Sequence, residues 1–151
     1  MNAHVAVKAY TKVGVEYDVT TADPHKLISM LYQGALLAIA NARNGILRKD
    51  VATKGSAISK AIPIIEDGLN ASLDKKVGGE LAQNLSSLYE YMSRRLLTAN
   101  VNNDMAALNE VAGLLNDLKG AWDGIKQQPA APAATAIPVI NRPAALVYGR
   151  V

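Results

Sequence analysis

The chain contains no cysteine, which excludes both a disulfide framework and a thiolate metal site. It has only two histidines, His4 and His25, and no Glu-x-x-His pair. The carboxylate-bridged di-metal centres found inside some helical bundles need that pair, so they are excluded. A serine triad also needs a histidine base, and His25 is more simply read as a surface residue in a first helical turn. No phosphate-cradling G-x-x-x-x-G-K-[ST] occurs, because Gly78-Gly79-Glu80 has neither the length nor the lysine. No apolar run reaches the ~20 residues that span a bilayer. The segment Met1–Val19 also lacks the continuous apolar core of a signal peptide, so a cytoplasmic protein is expected. Basic residues outnumber acidic ones by only three. Their densest runs, Arg48-Lys49, Lys75-Lys76 and Arg94-Arg95, are scattered among acids, which reads as solvated surface rather than a nucleic-acid footprint. These absences leave no expected cofactor, no metal, no nucleic-acid partner and no enzyme.

What the sequence does have is helical patterning. The 151 residues suffice for one domain with one sizeable core. Leu27–Ala40 is interrupted only by Ser29, Gln33 and Gly34, and Asp23-Pro24 supplies an N-cap acceptor followed by a proline that needs no backbone donor. Ile28, Leu31, Ala35, Ala38, Ala42 and Gly45 form one row at 3–4 spacing, and Leu27, Met30, Gly34 and Leu37 form a neighbouring one. Two rows mark a central helix, covered from more than one side.

The spacing predicts a first helix over about Pro24–Leu47 and a second over Val51–Leu73, with Ile58, Ile62, Ile65, Leu69 and Leu73 buried. Pro63 removes a backbone donor inside the second helix and predicts a kink, and Gly68 weakens it further. Asp74–Gly79 reads as a loop. A third helix from about Glu80 would bury Leu81, Leu85, Leu88, Met92, Leu96 and Ala99, with a turn at Asn100–Asp104. The fourth carries the 3-4-3-4-3 row Leu108, Val111, Leu115, Leu118, Trp122 and Ile125. Short connections between such helices give an all-α, antiparallel up-and-down four-helix bundle over residues 23–127. Residues 1–22 read as an N-terminal arm with near-alternating apolar groups. Residues 128–151, with four prolines, seven alanines and no acids, read as a disordered tail.

Apolar surface is then the remaining resource. Helix one has a second stripe, and helix three adds Tyr89, Tyr91 and Leu97 off its main row. Such surplus suits a groove for an amphipathic or extended partner chain. A histidine phosphotransfer domain fits poorly, because it would place its histidine mid-helix with a glycine one turn later, whereas Ser29 follows His25.

Several motifs then fall in order: Ala9-Tyr10; Thr21-Ala22-Asp23-Pro24; Leu27-Ile28-x-Met30-Leu31-Tyr32-x-Gly34-Ala35. Next come Leu73-Asp74, Gly78-Gly79-Glu80-x-Ala82-x-Asn84-Leu85 and Leu88-Tyr89-x-Tyr91-Met92-x-x-Arg95-Leu96-x-x-Ala99-Asn100. Asp104, Glu110-Val111, Leu114-Leu115 and Trp122 close the series. Over about residues 5–126 the chain resembles the FliS family of flagellin export chaperones. The resemblance implies a helical bundle that binds the disordered C-terminal segment of flagellin, prevents premature polymerisation and presents it to the type III export apparatus. An export component or a co-chaperone is a further implied partner. It also implies that Val7 and Tyr10, on a displaceable arm, lie near the client groove. For the groove itself the surplus rows nominate Leu27, Met30, Leu31, Gly34 and Ala35, with Met92 and Leu96 as a second wall. Pro63 and the long Ala/Pro-rich tail depart from the family pattern. A general helical adaptor for another amphipathic client is the alternative reading.

Overall fold

The computed structural model describes residues 23–125. The expected arm, tail, Val7 and Tyr10 lie outside them. Four helices run in order: α1 Pro24–Leu47, α2 Val51–Pro63 continued by a π-helical segment Ile64–Asn70, α3 Lys75–Asn102 and α4 Met105–Ile125. There is no strand among the described residues, and the fold is the expected all-α four-helix bundle. None of these helices is long and apolar enough to cross a membrane.

Each helix starts the same way. Asp23, Asp50, Asp74 and Asp104 stand one residue before the first helical position, and each carboxylate accepts a backbone N–H of the first turn. These donors have no intrahelical partner, so the side-chain acceptor satisfies what the helix cannot. The four aspartates set the phase of the bundle.

Antiparallel packing follows from the cross-links between helices. His25 at the start of α1 meets Trp122 near the end of α4, while Arg43 near the end of α1 reaches Asn109 near the start of α4. Lys54 at the start of α2 reaches Asn100 and Asn103 at the end of α3. That lysine is only 7% exposed. Its ammonium sits where the α3 carbonyls end, donating to the Asn100 carbonyl at 2.8 Å and the Asn103 side chain at 2.6 Å, which satisfies a charge that burial would otherwise penalise. The α1–α2 hairpin closes tightly because Gly45 lets the two backbones touch: a Cβ there would lie 2.6 Å from the Lys54 nitrogen.

The helix-two break takes a specific form. Pro63 cannot donate to the carbonyl one turn back, and immediately after it the spiral widens into π geometry, closing with the Ala71 amide on the Glu66 carbonyl at 3.1 Å. The wider turn keeps Ile64, Ile65, Gly68 and Leu69 all buried. Gly68 is a packing residue here, since a Cβ would press on Leu31 at 3.1 Å.

Two expectations for helix three are refined. The expected loop Asp74–Gly79 holds a short helical turn from Lys75, capped by Asp74, while the long helical run starts at Glu80 as expected, separated from that turn by the non-helical Gly79 (φ 53, ψ −130). That conformation is open essentially to glycine alone. Its buried row also differs, running through Ala82, Ser86, Tyr89, Met92, Ser93, Leu96 and Ala99, while Leu81 is exposed. The leucine spacing overlaps that row only from Met92 onward, because small residues rather than leucines face the core in the first half.

Candidate functional site

With α1 at the centre of the bundle, the side chains around it divide by the neighbour they meet. A Cβ at Gly34 would lie 3.6 Å from Ile64, and one at Gly45 would meet Lys54, which puts one flank of the helix on α2 and its π-helical extension. His25, Ser29 and Arg43 bond to Trp122, Asp123 and Asn109, which fixes the opposite flank on α4. Tyr32 points inward to Tyr89 of α3, their hydroxyls sharing a buried hydrogen bond at 2.6 Å. Burial pushes the Tyr32 phenol up to about 12, the bond to Tyr89 partly opposing it, and burial raises Tyr89 as well.

At 100° per residue, the arc of α1 left between the α2 and α4 flanks carries Met30, Gln33, Leu37, Asn41, Asn44 and Arg48. Leu37 is 64% exposed, Met30 and Gly34 are half-buried, and the rest of that arc is exposed. The outward face of α1 is therefore a solvent-facing strip on which Met30 and Leu37 are apolar and Gln33, Asn41 and Asn44 are polar.

The nominated groove residues separate on this geometry. Met30 and Gly34 border this strip. Leu27, Leu31, Ala35, Met92 and Leu96 do not, because each is at most 1% exposed and belongs to the central core. The reason is the packing: α1 lies along α2 and α4 and meets α3 across the core through Tyr32 and Tyr89, so most of the surplus apolar surface is used inside. Tyr89 and Tyr91 are corrected too. Tyr89 is fully buried, and the Tyr91 hydroxyl donates to Glu110 at 2.6 Å, where Arg95 also bonds the carboxylate at 2.7 Å. Those two hydrogen bonds hold Glu110 below its usual carboxylate range. Leu97, by contrast, is open to solvent at 54%, near Val101 one turn on.

His25 is not a bare surface residue. Its ring stacks on Trp122 at 4.8 Å and 10°. Nε2 lies 2.7 Å from the Trp122 carbonyl, which can only accept, so that nitrogen carries the proton. The indole N–H returns a bond to the His25 carbonyl at 2.9 Å. Asp123 accepts from Ser29 and Lys119 beside it, which holds its carboxyl low, Lys119 contributing most. This latch ties the start of α1 to the end of α4, and no spacing rule would have paired residues 97 apart. Leu37 was the residue missed for the face itself. It stands in the second apolar row, but a row alone does not say which members face outward.

Comparison with known proteins adds an independent line. The family model described as flagellar protein FliS matches residues 6–129. A flagellar secretion chaperone FliS of Salmonella typhimurium is 53% identical over 119 residues, covering 79% of this chain and 88% of the relative. The flagellar secretion chaperone FliSB of Pseudomonas aeruginosa is 49% identical over 125 residues, 83% of this chain and 98% of its own length. The Escherichia coli flagellar secretion chaperone FliS is 43% identical over 122 residues, covering 81% and 90%.

Proposed function

Since this chain belongs to the FliS family of flagellar secretion chaperones, and so is an export chaperone rather than an enzyme, we propose that its client is flagellin. In this reading the protein works in the cytoplasm, binds the disordered C-terminal segment of newly made flagellin, keeps it from polymerising early and delivers it to the flagellar type III export apparatus. The observation that supports it most is the exposed apolar strip on α1. Met30, Gly34 and Leu37 offer a partly exposed apolar strip on the face of α1 between its α2 and α4 flanks. Val7 and Tyr10 on the preceding arm would cover that strip until the client displaces them. The core residues Leu27, Leu31, Ala35, Met92 and Leu96 brace the strip from beneath without touching the client.

A client that is disordered before binding must be ordered on the chaperone, which lowers affinity per unit of buried area. That balance lets a chaperone hold flagellin against assembly and still release it at the export gate. The test is retention of flagellin, full length and lacking its C-terminal segment, on the wild type and on Leu37→Asp. We expect the wild type to hold only the full-length form. Leu37→Asp should bind it about tenfold more weakly, with a melting temperature close to wild type because the residue is exposed. Equal retention of both flagellin forms would argue against the mechanism.

A further inference from the structure

The two halves of α4 are held in different ways. The first half buries Ala107, Leu108, Val111, Ala112 and Leu115, and its Glu110 is tied to Tyr91 and Arg95 of α3. From residue 116 to residue 125 no residue is buried. Leu118 and Trp122 continue the apolar row and pack against the core, but both stay partly open to solvent. Gly120 and Gly124 interrupt this second half, and a Cβ at either would meet nothing within 4 Å. Packing therefore does not require them, and each favours unwinding by about fivefold relative to alanine. Gly113 is equally open, but it lies among the buried Val111, Ala112 and Leu115.

The second half is fastened through two adjacent residues. Trp122 stacks on the His25 ring and exchanges two hydrogen bonds with that residue, and Asp123 accepts from Ser29 at 2.8 Å. All three bonds are only partly shielded, so water replaces each of them when the helix moves away. At 100° per residue, His25, Ser29, Tyr32 and Arg43 share one face of α1. The Ser29–Asp123 and Arg43–Asn109 bonds fix one antiparallel register for that face, in which Tyr32 comes level with Gly120. The loosely held half thus lies over Tyr32, which is sealed and bonded to Tyr89.

We infer that residues 118–125 form a strap that swings off α1 and returns as a unit while the rest of the bundle stays folded. Closed, it seals the face of α1 that carries His25, Ser29 and Tyr32. Open, it uncovers that face together with the inner sides of Leu118 and Trp122. The limits of the unit follow from the burial and the bonds. Leu115 is the last buried residue of α4, and the contacts of Trp122 and Asp123 are neighbours that release together. Lys119 bonds Asp123 within the helix and moves with it. The described chain begins at Asp23 and ends at Ile125, both beside this strap. A partner that grips the chain on either side of those residues therefore acts on the strap first. The device does not depend on which client the chaperone carries.

Residue-resolved hydrogen exchange of the full chain under native conditions is the test. In the wild type the amides of residues 118–125 should exchange about tenfold or more faster than those of 111–115, and at one common opening frequency. His25→Ala removes the stack and one hydrogen bond, so it should speed exchange in the strap by about tenfold. It should also raise acrylamide quenching of Trp122, the only tryptophan in the chain. Gly120→Ala/Gly124→Ala, which adds helix propensity without a clash, should slow strap exchange by about tenfold. Gly45→Ala strains the α1–α2 hairpin at the far end of the bundle. It should speed exchange of residues 111–115 by about fivefold or more and leave 118–125 within about twofold of wild type. Equal acceleration of both sets by Gly45→Ala would mean that α4 opens only with the whole bundle. A smooth rise in exchange from Leu118 to Ile125 would mean simple fraying of the helix end. Either result overturns the strap.

Discussion

Converting one tyrosine of the Tyr32–Tyr89 pair to phenylalanine leaves the other hydroxyl buried without its partner. Both side chains are essentially sealed, at 3% and 0% exposure, and the hydroxyls lie 2.6 Å apart. A stranded buried hydroxyl costs about 1–3 kcal/mol, whereas removing both partners together is nearly neutral. Tyr32→Phe and Tyr89→Phe should each lower stability by that amount, roughly 5–20 °C in melting temperature for a bundle of this size. The double variant should melt above either single one, with a coupling energy of about 1–2 kcal/mol. The same pair predicts alkaline sensitivity. The Tyr32 phenol is raised from 10.0 to about 12 in the fold, so above pH 10 the unfolded chain binds fewer protons than the native one. Its stabilising contribution is complete below pH 10 and lost as pH rises toward 12, at about 1.4 kcal/mol per pH unit and about 3 kcal/mol in all. Tyr89 shifts in the same direction. Denaturant titrations at several pH values check both effects. Additive single losses, or a wild type whose stability falls no faster than the double variant between pH 10 and 12, would refute the reasoning.

Gly45→Ala should destabilise by about 1–3 kcal/mol, because its new methyl meets the Lys54 backbone and that contact cannot yield cheaply. Gly55→Ala, with nothing within 4 Å of the new Cβ, should instead be neutral or stabilise by up to about 1 kcal/mol through helix propensity. Thermal melts of the two variants give the comparison. At Gly79, where φ is +53, alanine should cost about 1–3 kcal/mol of backbone strain although the space is open. Chemical denaturation would detect it as a lower midpoint with an unchanged slope.

Helix positions were legible from the sequence wherever a cap and a row agreed. Asp23-Pro24 announces α1, which begins where those residues place it, and α2 begins at the expected Val51 behind its Asp50 cap. The glycine pair marked the break at Gly79 and the long run of α3 from Glu80, but the short turn that Asp74 caps ahead of it was read as loop. Inside the bundle, hydrophobic periodicity says that a side chain is covered without saying by what. Leu31 and Leu37 look alike in sequence, yet one is 1% exposed and the other 64%. Only the placement of α2 and α4 around α1 separates them. The core of α3 was obscured for a related reason: Ala82, Ser86 and Ser93 face inward, and small or hydroxylated residues carry little hydrophobic signal. The His25–Trp122 latch and the Lys54 clamp depend on contacts across 46 residues or more, which local patterns do not encode.

The latch between His25 and Trp122 has a consequence for biosynthesis. The first described helix to leave the ribosome packs between α2 and α4, and its α4 flank stays bare until translation has passed Trp122. Throughout that interval the nascent chain shows the same greasy side that the finished protein hides. An export chaperone thus begins as an exposed chain itself, and its own last helix ends the exposure.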